Sequence, residues 1–202
     1  MSDIKQKIQD FYKVAQSRDF ARDFQFRVLD VSNKGRTVFD ETDLVYATAA
    51  ELPGKTIATK DVPYNGFQFR IPGTVSYNNS DAFTIDFYVD AHSTARIAME
   101  DWIEKTYNDA TTTGDGKLHD NSTITLIQLD TKFEPLHTYK LHGVFPTDCG
   151  NIAYSMSGDG EVATTTLTFA YQFWRSDKTV KAIPNAAGAA LGSLFPGGGS
   201  GD

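Results

Sequence analysis

LHTYKLHGVFPTDCGNIAYSMSGDGEVATTTLTFAYQFW, residues 136–174, is the stretch whose reading decides the fold. Residues 136–144 read as a strand, and Phe145, Pro146, Thr147 and Asp148 as a corner carrying a proline. Ser157, Gly158, Asp159 and Gly160 form a hairpin signal, because glycine accepts the positive φ of a tight turn. In the returning run Leu167, Phe169, Tyr171 and Phe173 share one face, while Thr164, Thr166, Thr168 and Gln172 share the other. One face is apolar; the other is polar and uncharged. Strands of monomeric domains commonly carry Lys or Glu against edge pairing. An uncharged threonine face between Ala163 and Trp174 is therefore a candidate assembly element, the alternative being an ordinary sandwich strand covered by a loop.

The flanking sequence extends the β pattern. Residues 83–89 alternate with Phe83, Ile85, Phe87 and Val89 inward and Thr84, Asp86 and Tyr88 outward. Asp90 then predicts the N-cap of a helix over 91–107, whose stripe contains Ala95, Ala98, Met99, Trp102, Ile103 and Thr106. Met99, Trp102 and Ile103 are the residues expected to anchor it on a sheet. Residues 122–130 are a further strand, apolar on both faces.

Toward the N-terminus, Ile4, Ile8, Phe11, Tyr12 and Ala15 line one side of a short helix. Extended runs follow at 24–31, closed by Asn33-Lys34-Gly35, and at 44–49, after a break at the acids Asp40, Glu41 and Asp43. Residues 55–61 are polar and β-branched with few groups to bury, so they are expected to project from the body. Residues 64–71 return as a strand with Phe67, Phe69 and Ile71 on one face, ending at Pro72-Gly73. Residues 108–121, rich in Thr, Gly and Asp, predict a mobile linker.

The fold class is thus mainly β: an antiparallel sandwich or partial barrel with one flanking helix (91–107) and a short N-terminal helix. The expected division is one β domain over 1–175 and a flexible Gly/Ala-rich tail over 176–202, whose composition cannot offset chain entropy. At 202 residues the chain can bury a core without staples. The single cysteine, Cys149, has no internal disulfide partner and suits a reducing compartment. The start lacks the apolar core of a signal peptide, and no apolar run is long enough to span a membrane.

No catalytic, cofactor-binding or metal-binding residues are assigned. His137 and His142 are an odd number of positions apart, so a regular strand sends them to opposite faces. Asp115-Gly116 and Asp159-Gly160 lack the spacing of a calcium loop, and the glycines at 197–199 lack the lysine of a phosphate cradle. The net charge of −7 argues against a tight grip on nucleic acid but not against its passage.

An ordered set of short motifs resembles the contractile-phage tail tube proteins. Asp19-Phe20-Ala21-Arg22, Phe26-Arg27-Val28 and Leu52-Pro53-Gly54 are similar to that family's entry segment. Phe83 to Asp90, running into Ala95-Arg96 and Asp101-Trp102, is similar to its central strand and helix. Gly143 to Thr147 with Gly150-Asn151-Ile152, and then Leu167 to Trp174, looks like its close. The linker at 108–121 and the tail after Arg175 depart from the pattern.

The resemblance implies hexameric rings stacked into a tube, sheath and baseplate partners, and a lumen through which DNA or effectors pass without specific binding. It also implies assembly in the bacterial host cytoplasm and residence in the virion tail. A baseplate tube initiator and a type VI secretion tube protein remain as variants. Within this reading Lys55, Ile57, Lys60 and Asp61 are expected to contact the next ring, and Thr164, Thr166, Thr168 and Gln172 to face the lumen. A different class, a carbohydrate-binding β-sandwich stacking sugars on Tyr64, Tyr77 or Tyr88, is the alternative.

Overall fold

Alternating apolar residues fold this chain into two antiparallel sheets that share one core, as seen in a computed structural model that describes residues 8–117 and 121–178. In chain order the elements begin with α1 (Ile8–Arg18), β1 (Phe26–Asn33), β2 (Arg36–Thr37), α2 (Glu41–Val45) and β3 (Ala47–Ala50). There follow β4 (Lys55–Tyr64), β5 (Phe67–Tyr77), β6 (Phe83–Tyr88), α3 (Thr94–Thr106), β7 (Tyr107–Asn108) and β8 (Thr113–Gly114). The chain closes with β9 (Thr123–Leu129), β10 (Pro135–His142), β11 (Phe145–Cys149), β12 (Thr164–Ala170) and β13 (Phe173–Lys178).

A five-stranded sheet has the order β13-β10-β9-β1-β2, and a four-stranded sheet the order β11-β12-β6-β3. Val28, Val31, Ile124 and Leu141 from the first meet Ile85, Phe87, Leu167 and Phe169 from the second in one buried cluster. Each such side chain contributes about 1.5–3 kcal/mol when fully buried. Helix α3 adds Ala95, Met99 and Trp102 to the same cluster, with the Trp102 and Phe169 rings 5.9 Å apart. Met99 and Trp102 are buried, whereas Ile103 is half-buried at the margin.

The opening stretch, residues 136–174, runs through both sheets, and it does so by two adjacent corners. Strands β10 and β13 belong to the five-stranded sheet, β11 and β12 to the other, so the chain changes sheet between His142 and Phe145 and again between Ala170 and Phe173. The corners are joined where the Gln172 N–H donates to the His142 carbonyl at 2.9 Å. Gly143 sits between them at φ +66, and a Cβ there would come 2.6 Å from Gln172 Cγ. Gly143→Ala combines a left-handed backbone with a clash and is expected to cost about 1–3 kcal/mol, read as a lower denaturant midpoint. An unchanged midpoint would show that the corner yields freely.

Several sequence expectations are corrected here. The proline corner at 145–148 is a strand, β11, because Pro146 lies at a sheet edge where its missing N–H costs no ladder bond. The tight turn at 157–160 is instead part of a long loop between β11 and β12. Phe173 leaves the face of Leu167, Phe169 and Tyr171, because the sheet change intervenes; its ring stacks on His142 at 4.9 Å. The acids at 40–43 start a helix: Asp40 accepts from the Thr42 N–H, and the Asp43 carboxylate accepts in return from the Asp40 N–H.

Helix α3 starts later than the sequence suggests, at Thr94, because Ser93 is left-handed with φ +53. The Asp90 carboxylate nevertheless caps it, accepting from the Thr94 hydroxyl and backbone N–H, both at 2.7 Å. The Thr94 hydroxyl bond is the main reason its pKa lies below the ordinary carboxylate value. Residues 107–114 form a small hairpin, β7–β8, where a mobile linker is predicted, and Asp115 beside it pairs with Lys34. β13 continues to Lys178, past the expected boundary at 175. Ile4 and residues 179–202, the rest of the tail expected over 176–202, lie outside the described residues.

Candidate assembly surface

Residues 55–77 form a two-stranded arm, β4–β5, that joins neither sheet of the body. Its tip is Asn65-Gly66, with φ +48 and +81, the pair of left-handed residues that a two-residue hairpin turn of matching twist requires. The projecting segment expected at 55–61 is thus one half of a hairpin. Its other half is the strand expected at 64–71, which continues through Pro72-Gly73 to Tyr77. It can do so because the register slips there: Ile57 pairs with Val75 and Thr59 with Pro72, leaving Ala58 opposite Gly73 and Thr74.

The root of the arm is pinned. The Trp174 indole N–H donates to the Gly54 carbonyl at 3.0 Å, and the Tyr171 hydroxyl to the Asn78 carbonyl at 2.8 Å. Burial raises the pKa of that hydroxyl. Tyr77 meets Tyr171 and Trp174 edge-on, with ring centroids 6.5 and 6.4 Å away. Lys55 Nζ lies 5.6 and 5.7 Å from the Tyr77 and Trp174 rings. The root is therefore stiff, and what it holds out is apolar.

Cross-strand register places Lys60, Val62, Tyr64, Phe67, Phe69 and Ile71 on one face of the arm. Thr59, Asp61, Pro63, Gln68, Arg70 and Pro72 occupy the other, where Arg70 Nε donates to Asp61 Oδ1 at 3.0 Å. The apolar face is bare: Phe67 is 71% exposed and Phe69 55%. With large side chains taken at about 200 Å² each, it offers roughly 500 Å² of apolar surface, as much as the largest patch on a typical monomer. A second bare surface is α1, which has no buried residue and leaves Ile8, Phe11, Tyr12 and Val14 exposed.

The four residues expected to contact a neighbouring ring do not share one face. Lys55 is held over aromatic rings at the root, Ile57 lies below the register slip, Lys60 borders the apolar face and Asp61 is paired with Arg70 on the opposite one. The residues that dominate the arm, Tyr64, Phe67 and Phe69, were missed because their alternation also fits a strand with one face in the core. Asn65-Gly66 between two β-rich runs was the signal that could have found them.

Thr164, Thr166 and Thr168 lie on the outward face of the four-stranded sheet, paired with Tyr88, Asp86 and Thr84 of β6. The Thr166 hydroxyl donates to Asp86 Oδ1 at 2.6 Å. Gln172 is not part of that face; it sits at the sheet-changing corner. Tyr64, Tyr77 and Tyr88 form no common platform, since Tyr64 is near the arm's tip, Tyr77 packs at its root and Tyr88 ends β6. Among the described residues no group of three or more His, Cys, Asp or Glu is placed to hold a metal ion. A recess of about 190 Å³ is lined by Trp102, Val144, Phe145 and the Lys34–Asp115 pair, and among the described residues neither His nor Cys lines it.

The described residues thus form a two-sheet body with a pinned, apolar arm. The family model for phage tail tube proteins matches residues 15–177, and the chain belongs to that family. No curated protein sequence matches it. The fold is similar to a solved chain of the PVC sheath/tube terminator of an extracellular contractile injection system in the extended state. That match has a TM-score of 0.55 and 15% identity, covering 78% of this chain and 96% of that one. A chain of the anti-feeding prophage tube-terminating cap gives a TM-score of 0.54 at 15% identity, over 80% and 93% of the two chains. A chain of the PVC sheath-tube complex gives 0.50 at 14% identity, over 82% and 97%. These likenesses establish the fold, mainly antiparallel β and tail-tube-like.

Proposed function

We propose that this chain builds the tail tube itself: copies close into hexameric rings, the rings stack helically, and the lumen conducts DNA or effectors. The observation that carries this reading is the arm, an apolar hairpin with a pinned root that no surface among the described residues covers. In a family of tube proteins such an arm is suited to reach a neighbouring subunit. Sheath outside the tube and baseplate components at its end are the partners, assembly takes place in the bacterial host cytoplasm, and the product resides in the virion tail.

The threonine face of β12 suits a lumen. Thr164, Thr166 and Thr168 with Thr84 and Asp86 present hydroxyls and a carboxylate and no cation, so phosphates passing along them meet nothing to hold them. β3, one edge of that sheet, carries neither charge nor proline to blunt it, whereas β11 at the other edge carries Pro146 and Asp148. Joining such edges across subunits closes a barrel and removes them.

Negative-stain microscopy of the purified full chain tests the proposal. Rings and hollow tubes are expected. A monodisperse monomer at all concentrations would overturn it.

A further inference from the structure

We propose that the apolar face of the arm is covered by helix α1 of a second copy of this chain, an inference that rests on the tube reading above. Both surfaces are incomplete alone. An isolated helix of 11 residues is marginal in water, and so is a lone two-stranded hairpin. A helix laid on a sheet face supplies the second layer that each lacks. Within one chain neither covers the other, since α1 buries no residue and the arm is exposed along both strands, apart from half-buried Tyr77 at its root.

The areas match. Ile8, Phe11, Tyr12 and Val14 expose roughly 500 Å² when large side chains are taken at about 200 Å² each, the same as the arm's face. Burying both removes roughly 1,000 Å² of apolar surface, which polar margins bring into the range of a specific interface. Because helix and arm are different patches, their contact is heterologous and can be repeated from copy to copy. Arm-to-arm pairing would instead close at a dimer.

The test uses the full chain in a Cys149→Ser background with Tyr12→Cys on α1 and Phe69→Cys on β5. After assembly it is treated with a short bismaleimide and run on a denaturing gel. A ladder of dimers, trimers and longer products that needs both cysteines is expected. Tubes without a ladder would overturn the proposal, as would a dimer from Phe69→Cys alone or a cyclised monomer. A second measurement needs no substitution: amine crosslinking of mixed isotope-labelled and unlabelled copies should yield Lys13–Lys60 peptides containing one copy of each. Tubes that give no mixed peptide overturn this inference and leave the tube reading standing; an unmodified chain that forms no assembly overturns both.

Discussion

Replacing residues 58–74 with Asn-Gly is expected to leave the body folded and to abolish tubes. The replacement joins Ile57 to Val75, which are cross-strand partners, so a two-residue turn closes the shortened hairpin with its register intact. Every contact that pins the root lies outside the deleted segment: Trp174 to Gly54, Tyr171 to Asn78, and Lys55 over Tyr77. The removed side chains are exposed, and changes at such positions usually stay within about 0.5 kcal/mol. The thermal midpoint should therefore hold, while microscopy shows at most single rings. Tubes indistinguishable from those of the full-length arm would remove the arm from assembly altogether. A collapse of the midpoint would show instead that the arm stabilises the body.

Trp102→Ala is expected to have the largest effect on the body, about 3–5 kcal/mol, the usual loss for a buried aromatic. Trp102 is only 3% exposed, its ring lies 5.9 Å from that of Phe169, and Met99 one turn earlier in α3 is fully buried. Truncation would leave a cavity between α3 and β12, beside the Phe169 ring. A denaturant midpoint lowered in proportion, with secondary structure retained below it, is the expected reading. An unchanged midpoint would mean that α3 is not held to the sheet through this residue.

Much of the body was legible in the sequence, because period-two alternation and a strong helical stripe are local signals. Phe83, Ile85 and Phe87 point inward as their spacing predicts, and Ala95, Met99 and Trp102 form the buried side of α3. The lysine–glycine turn after β1 was equally readable: Lys34 and Gly35 take φ +53 and +76, as a tight hairpin turn demands. The family resemblance runs from Asp19 to Trp174 through both these elements and the segments between them, and the match to tail tube proteins falls over residues 15–177.

What only the tertiary structure decided is which apolar face meets the core and which meets solvent. Phe67, Phe69 and Ile71 alternate just as Phe83, Ile85 and Phe87 do, yet the first set is exposed and the second buried. Alternation says that one face of a strand is apolar; it does not say what covers that face. The change of sheet at Tyr171-Gln172 was hidden for a related reason. A continuous run of β-prone residues carries no mark of a corner when the constraint, Gly143 against Gln172, sits 29 residues away in the chain. Local pattern thus determined most of the strands and the long helix, and long-range pairing alone determined that the most apolar hairpin of the described residues stands outside the core.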